Sequence, residues 1–439
     1  MHSHPEKSLM DAQKTERKSV AKTDLGAFQS THSGLDFQTL SRATWAAFVL
    51  IGLTIGLTHF LRLYQLDENG ISLATNKSPT WDFTNLWFGG RLALDGQLST
   101  IFEVEAYRQG LRDIFAPYIA DSEWSYPPSI LLLGVPLAMV PLSGAYAVWT
   151  FGTLLLLTVV ARRVGFSRLS CVLLWLSPGV WNNALFGQNG ALTASLFVGG
   201  LFYAHSRPRM AGLCFAALTV KPHLGLLIPV CLIAARAWRG VIWSAAFAAI
   251  LVGLTGLAFG GSVWFEFLTI TQPLMRAIME APYGQGYHAN ASTVFVTARW
   301  LGIEVGPAYA AQLICAATSA GVAWRLWRNR AGDPLLRIAA TSILALLATP
   351  YGYSYDMVLL SFACVAVLQS GSMRLNVLLI PAWLWPALVN GFNASIGPVS
   401  PLVIAYAAAI SIWAYRQSAR GNRSFVRETI PRPPIESLA

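Results

Sequence analysis

Apolar runs recur along this chain from Trp45 almost to Tyr415, and the rhythm stops at one place, a polar stretch from Leu63 to Pro128. A helix needs about 20 apolar residues to cross a bilayer. The runs near 44–60, 169–186, 191–205, 210–220, 223–235, 241–260, 308–325, 334–350, 356–371, 375–391 and 399–415 read as such crossings or as pieces of them. Residues 129–161 are too many for one span and few for two, and Pro136 and Pro141 interrupt them. A re-entrant half-helix followed by one span fits, because broken helices are tolerated where they line a protein cavity. The pattern predicts an all-α polytopic membrane protein with about 12 transmembrane helices.

The polar stretch predicts a large first outer loop, 63–128, with short helices at Asn85–Leu94 and Val104–Phe115 lying on the membrane surface. It holds nine of the chain's 21 acidic residues: Asp67, Glu68, Asp82, Asp95, Glu103, Glu105, Asp113, Asp121 and Glu123. A second outer loop is expected at 262–305. Residues 1–42 are polar and aperiodic, which predicts a disordered tail. The membrane domain is then 43–416, followed by a short C-terminal tail, 417–439. The runs on either side of Lys221 are too short to cross alone, which sets this lysine partway into the membrane from the outer side.

Composition agrees: of 439 residues 54% are hydrophobic and 12% charged, where a soluble domain carries about 25% charged residues. The net charge of +10 would suggest an anionic partner in a soluble protein. Here Lys and Arg collect in both tails and in the turns at Arg162–Arg168, Arg207–Arg209, Arg236–Arg239, Arg325–Arg330 and Arg374, as expected for cytoplasmic flanks. Both termini are therefore expected in the cytoplasm, and no nucleic-acid partner is expected. On the outer side this leaves Arg62, Lys77, Arg91, Arg108, Arg112, Lys221, Arg276 and Arg299 out of 31 basic residues. The five cysteines lie in apolar runs without a CxxC pair, so they read as small buried hydrophobes.

Polar groups cluster at the outer ends of five separate segments. Beside the first loop, with Trp81-Asp82-Phe83 and Tyr126-Pro127-Pro128, they are Gly187-Gln188-Asn189-Gly190, Lys221-Pro222-His223, Tyr287 to Ser292 and Thr349 to Asp356. Such a distribution is what a cavity at one membrane face looks like in sequence. Asp82 is either a functional carboxylate or a cap of the helix that follows it. An intramembrane lysine is costly and is a functional candidate by default, with snorkelling to the headgroups as the alternative for Lys221. Gln188 and Asn189 fit hydroxyl recognition or a plain turn. His223 and His288 fit structural hydrogen bonding or acid–base work. Arg276 and Arg299 fit a lipid phosphate or a headgroup. Asp356, beside Tyr351, Tyr353 and Tyr355, is a candidate for shaping a sugar pocket or orienting His288.

In the order Asp82 to Gly96, Ile101-Phe102, Tyr107, Tyr126-Pro127-Pro128, Gly187-Gln188-Asn189, Lys221-Pro222, Asn290-Ala291-Ser292 and Ala348-Thr349-Pro350-Tyr351, the chain resembles glycosyltransferase family 87. These are the polyprenyl-phosphate-mannose-dependent mannosyltransferases of C-type glycosyltransferase membrane fold. The chain departs from members that carry a histidine-bearing motif where Tyr353-Ser354-Tyr355-Asp356 stands. The resemblance implies transfer of a hexose, mannose by default, from a polyprenyl-phosphate carrier to a glycolipid or polysaccharide acceptor hydroxyl. It places the enzyme in a bacterial inner membrane with its site facing the periplasm.

From a sugar phosphate the phosphate leaves as an anion whose second pKa is about 6, so it needs little protonation, unlike the alcohol leaving group that makes glycosidases use a carboxylate pair. One base and one cation then suffice for an inverting transfer. Asp82 is the expected base, and Lys221 and Arg299 are the expected phosphate holders. Tyr126, Gln188, Asn189, His223, His288, Asn290, Tyr353 and Asp356 are the expected pocket. No cofactor or metal is expected: there is no DxD, HExxH or clustered His/Cys set. A secondary transporter or lipid-carrier flippase would also show broken segments and a buried lysine, and a membrane scaffold is the third reading.

Overall fold

The computed structural model describes residues 37–284, 286–370 and 377–429. The chain divides into two units, Met1–Ala47 and Phe48–Ala439, and apart from Ala46 and Ala47 all that follows belongs to the second. Most of the expected N-terminal tail, the turn at Arg374 and the last ten residues lie outside the described residues. Among those described there are helices but no strands; two isolated bridges pair Leu66 with Ser72 and Ala291 with Tyr353.

Three helices have the length and apolar composition to cross a membrane, within Ala46–Leu63, Leu142–Arg163 and Trp238–Phe259. The pair Arg168–Trp175 and Pro178–Phe186, bent by 54°, makes a fourth if it is one span. About 12 crossings are expected from the apolar runs, and the remaining apolar runs form shorter helices. Gly190–Tyr203, Pro208–Val220, Pro222–Ala234, Pro334–Ala348 and Ser354–Gln369 each have 10–17 residues. Their burial differs sharply. Only 6% of the Trp238–Phe259 window is buried, so this helix offers its apolar side chains to lipid, whereas Val358–Gln369 is buried on nearly every face. A helix apolar all round belongs inside a bundle or in lipid, and both cases occur here.

Residues 129–161 form a 3-10 turn, Pro128–Ile130, a short helix, Leu131–Ala138, and then the long helix Leu142–Arg163. The short helix packs on Trp81–Leu94 through glycine. A Cβ on Gly90 would collide with the backbone of Gly134, and one on Gly89 with the indole of Trp124. Helix Trp81–Leu94 starts four residues before the expected Asn85, which puts Asp82 in its first turn rather than at its cap; the N-cap is Thr80. The following surface helix, Val104–Ile114, buries Tyr107 and Leu111. Residues 262–305, expected as a second outer loop, are more ordered than their sequence suggests. Ser262–Glu266 and Gln272–Glu280 are joined by a π-helical turn, Phe267–Thr271. The last helix, Ser400–Thr429, continues past residue 416.

Candidate active site

Two cavities, of about 460 and 410 Å³, adjoin each other beneath the first outer loop. Trp81, Asp82, Tyr287 and Tyr355 stand in the walls of both. The first cavity carries Lys77, Ser78, Asp121, Glu123, Asn290, Tyr353 and Asn390 together with the apolar Leu63, Pro79 and Phe186. The second carries Lys221, His223, Arg276, Gln188 and Tyr126 together with the apolar Val220, Phe267, Met275 and Met279. All five outer segments singled out in the sequence thus meet here, joined by the helix around the π-helical turn.

Asp82 is held at the boundary. Burial raises its carboxyl pKa to about 6, while hydrogen bonds from Gln188 and Trp81 and the charges of Lys221 and Lys77 act to lower it. Position also favours the anion, because the first turn of a helix carries a partial positive charge. Gln188 is set by its own turn: Gly187, with φ +65°, ends Pro178–Phe186 in a left-handed cap, and the Asn189 N–H donates to Gln188 Oε1 at 3.3 Å. That leaves the amide N–H of Gln188 free for the Asp82 carboxylate. The Tyr126 hydroxyl donates to the backbone oxygen of Asp82 at 3.4 Å.

Lys221 is not a free cation. Its Nζ lies 2.7 Å from Asp356 Oδ1, with both side chains buried, and 4.5 Å from the ring centre of Tyr355. Asp356 Oδ2 accepts the N–H of Tyr353 at 3.1 Å. Lys221 itself sits at the non-helical break between two short helices, at φ −136° and ψ 74°, which turns its chain into the cavity. His223, on the next turn, meets Tyr351 edge-on at 5.2 Å, and its Nε2 has no hydrogen-bond partner among the described residues.

The model of glycosyltransferase family 87 matches residues 124–350, more than half of the chain. The chain belongs to glycosyltransferase family 87. No curated protein and no solved structure matches it significantly. The family makes it a membrane glycosyltransferase and decides against the transporter and scaffold readings. The match takes in Tyr126, Gln188, Lys221, His223 and Asn290. Asp82, Tyr353 and Asp356 lie outside it and stand on geometry.

Four expected site residues, Arg299, His288, Asn189 and Asp356, are placed off the cavity walls in this transferase. Arg299 donates to the backbone oxygens of Ile303 (3.0 Å) and Glu280 (3.3 Å), bracing the second outer loop. His288 stacks on Tyr283 at 5.5 Å, with Nε2 3.4 Å from the Met279 oxygen. Asn189 is buried and precedes Gly190–Tyr203 as its N-cap residue. Asp356 pairs with Lys221 rather than orienting His288.

Arg276 takes the place expected of Arg299: it lines the second cavity, ion-paired to Glu280 at 2.7 Å. Lys77, Glu123 and Tyr287 also line the cavities but were not among the expected site residues. Lys77 lies over the Trp81 ring, and burial lowers its pKa to about 8, against the raising effect of Asp82, Glu123 and Asp121. Lysine in a loop is the commonest of surface residues, and nothing local marks this one. Glu123 next to an aromatic run, Trp124-Ser125-Tyr126, was the available signal, since a carboxylate among aromatics is seldom solvated.

Proposed function

We propose that this family 87 enzyme moves a hexose, mannose by the family's habit, from a polyprenyl-phosphate carrier to a hydroxyl of a cell-envelope glycolipid or polysaccharide. The transfer inverts the anomeric carbon and takes place on the periplasmic face of a bacterial inner membrane, with both termini in the cytoplasm. The observation that carries this reading is the place of Asp82, a buried carboxylate in the walls of two adjoining cavities, one of which also carries Lys221 and Arg276.

The second cavity suits the donor. Its apolar wall of Val220, Phe267, Met275 and Met279 accepts the start of a prenyl chain, and Lys221 and Arg276 meet the phosphate. Both cations already have carboxylate partners, which keeps them ordered and lets an N–H of each turn to the donor. Lys221 carries three N–H donors, and the bond to Asp356 uses one. The first cavity, with amides, hydroxyls and carboxylates, suits a polyhydroxyl acceptor. In the transfer, Asp82 takes the acceptor hydroxyl proton as the acceptor oxygen bonds to C1. The C1–O bond to phosphate breaks with its electron pair on the phosphate. The developing charge falls where the cations lie, in surroundings that strengthen the attraction. On this reading no metal step is needed.

The test is a membrane assay with radiolabelled polyprenyl-phosphate mannose and envelope lipids. Asp82→Asn is expected to stay folded and membrane-bound while losing transfer. Full activity in that variant, or transfer from a nucleotide sugar without a lipid carrier, overturns the reading.

A further inference from the structure

We propose that Tyr287 is a partition between the two cavities, held by Glu123, and that this pair sets the balance between sugar transfer and hydrolysis of the donor. The proposal rests on the two-cavity reading above. Four residues wall both cavities, and three of them are fixed from nearby. Trp81 and Asp82 belong to the start of one helix, and Tyr355 is stacked on Tyr353 and covered by Lys221. Tyr287 comes from the second outer loop and is fastened across the site instead, its hydroxyl donating to Glu123 Oε2 at 3.0 Å.

Glu123 is built to hold still. Its side chain is 5% exposed, and its other oxygen accepts from Arg108. Its backbone oxygen accepts the amide of Asn85 at 2.9 Å, and the Tyr107 hydroxyl fixes that amide in turn. An immobile carboxylate 3.0 Å from a phenol gives a charge-assisted hydrogen bond, stronger than a neutral one. Glu123 lines the first cavity and not the second, so its reach towards the donor passes through Tyr287.

Such a partition has a chemical use. A cavity of about 460 Å³ with Lys77, Asp121, Glu123 and Asn290 in its walls has room and partners for water when no acceptor is bound, and a base that takes a proton from a sugar hydroxyl can also take one from water. In that side reaction the water oxygen bonds to C1 and the C1–O bond to phosphate breaks with its electrons on phosphate. The water proton goes to Asp82, and the products are free sugar and polyprenyl phosphate. As a wall of both cavities, the Tyr287 ring is placed to present a bound acceptor to C1 and to hold back loose water. Glu123 and Tyr287 act here as positioning residues.

The experiment uses the full-length protein with radiolabelled polyprenyl-phosphate mannose, with and without n-octyl mannoside as acceptor, and counts free and transferred sugar separately. Tyr287→Ala is expected to raise acceptor-free hydrolysis at least tenfold and to tilt the free-to-transferred ratio the same way. Tyr287→Phe and Glu123→Gln, which keep the ring and loosen its tether, are expected to give matching, smaller rises of a few-fold. These two also serve as the test if the alanine variant fails to fold. A purely structural role would lower hydrolysis and transfer together. Unchanged hydrolysis in all variants of a wild type that does transfer overturns the partition alone. A wild type that forms neither product overturns the donor reading with it.

Discussion

A carboxylate serves best as a base when its pKa lies near the working pH, and Asp82 at about 6 meets that condition. Because the base must be ionised, activity is expected to rise with pH through about 6, whereas an ordinary aspartate would put that limb near 4. A pH–rate profile of the membrane enzyme checks it. Asp82→Asn should cost on the order of 10²–10⁴-fold in turnover. Gln188→Leu removes a hydrogen bond that favours the anion, so its acidic limb should move above that of the wild type; a limb left in place would show that Gln188 does not act on Asp82. The pair Lys221–Asp356 makes a different prediction. Removing one partner of a buried ion pair costs about 3–5 kcal/mol. Asp356→Ala should therefore lower the melting temperature in detergent clearly, and Lys221→Met/Asp356→Leu should recover much of the loss.

At the scale of elements, the site depends on how closely helix Trp81–Leu94 approaches the short helix Leu131–Ala138. Gly90 and Gly134 face each other with no room for a Cβ, so Gly90→Ala must push the helices apart. Overpacking of this kind costs about 1–3 kcal/mol, and the displacement carries Asp82 with it. Reduced thermal stability together with a fall in turnover is expected, and unchanged values of both would contradict the contact. The surface helices were legible in the sequence, since Asn85–Leu94 and Val104–Phe115 fall within or beside the helices found. The start of the first was not: aromatic Trp81 and Phe83 give no helix signal, yet burial of Phe83 and Thr84 extends the helix to Trp81. The π-helical turn Phe267–Thr271 was invisible too, because an extra residue in a helical turn leaves no compositional trace.

For the whole molecule, the orientation rests on Lys and Arg in the turns. In a background without the native cysteines, Asn69→Cys should react with an impermeant maleimide in intact cells, and Arg207→Cys only after the membrane is opened; the reverse would invert the topology. Several properties were fixed by composition and order alone. The membrane character, the long polar stretch 63–128 and the segments that meet around the cavities follow from apolar runs and polar breaks, which act locally. Family membership was also legible, because its motifs are short and ordered. Folding in space decided the rest. It chose Arg276 over Arg299, gave Lys221 to Asp356, and drew Lys77, Glu123 and Tyr287 into the walls. Asp356 is 135 positions from Lys221 and Glu123 is 164 from Tyr287. Which charges neutralise one another in a low-dielectric interior depends on distance in space, and a linear pattern of polar and apolar residues does not contain that distance.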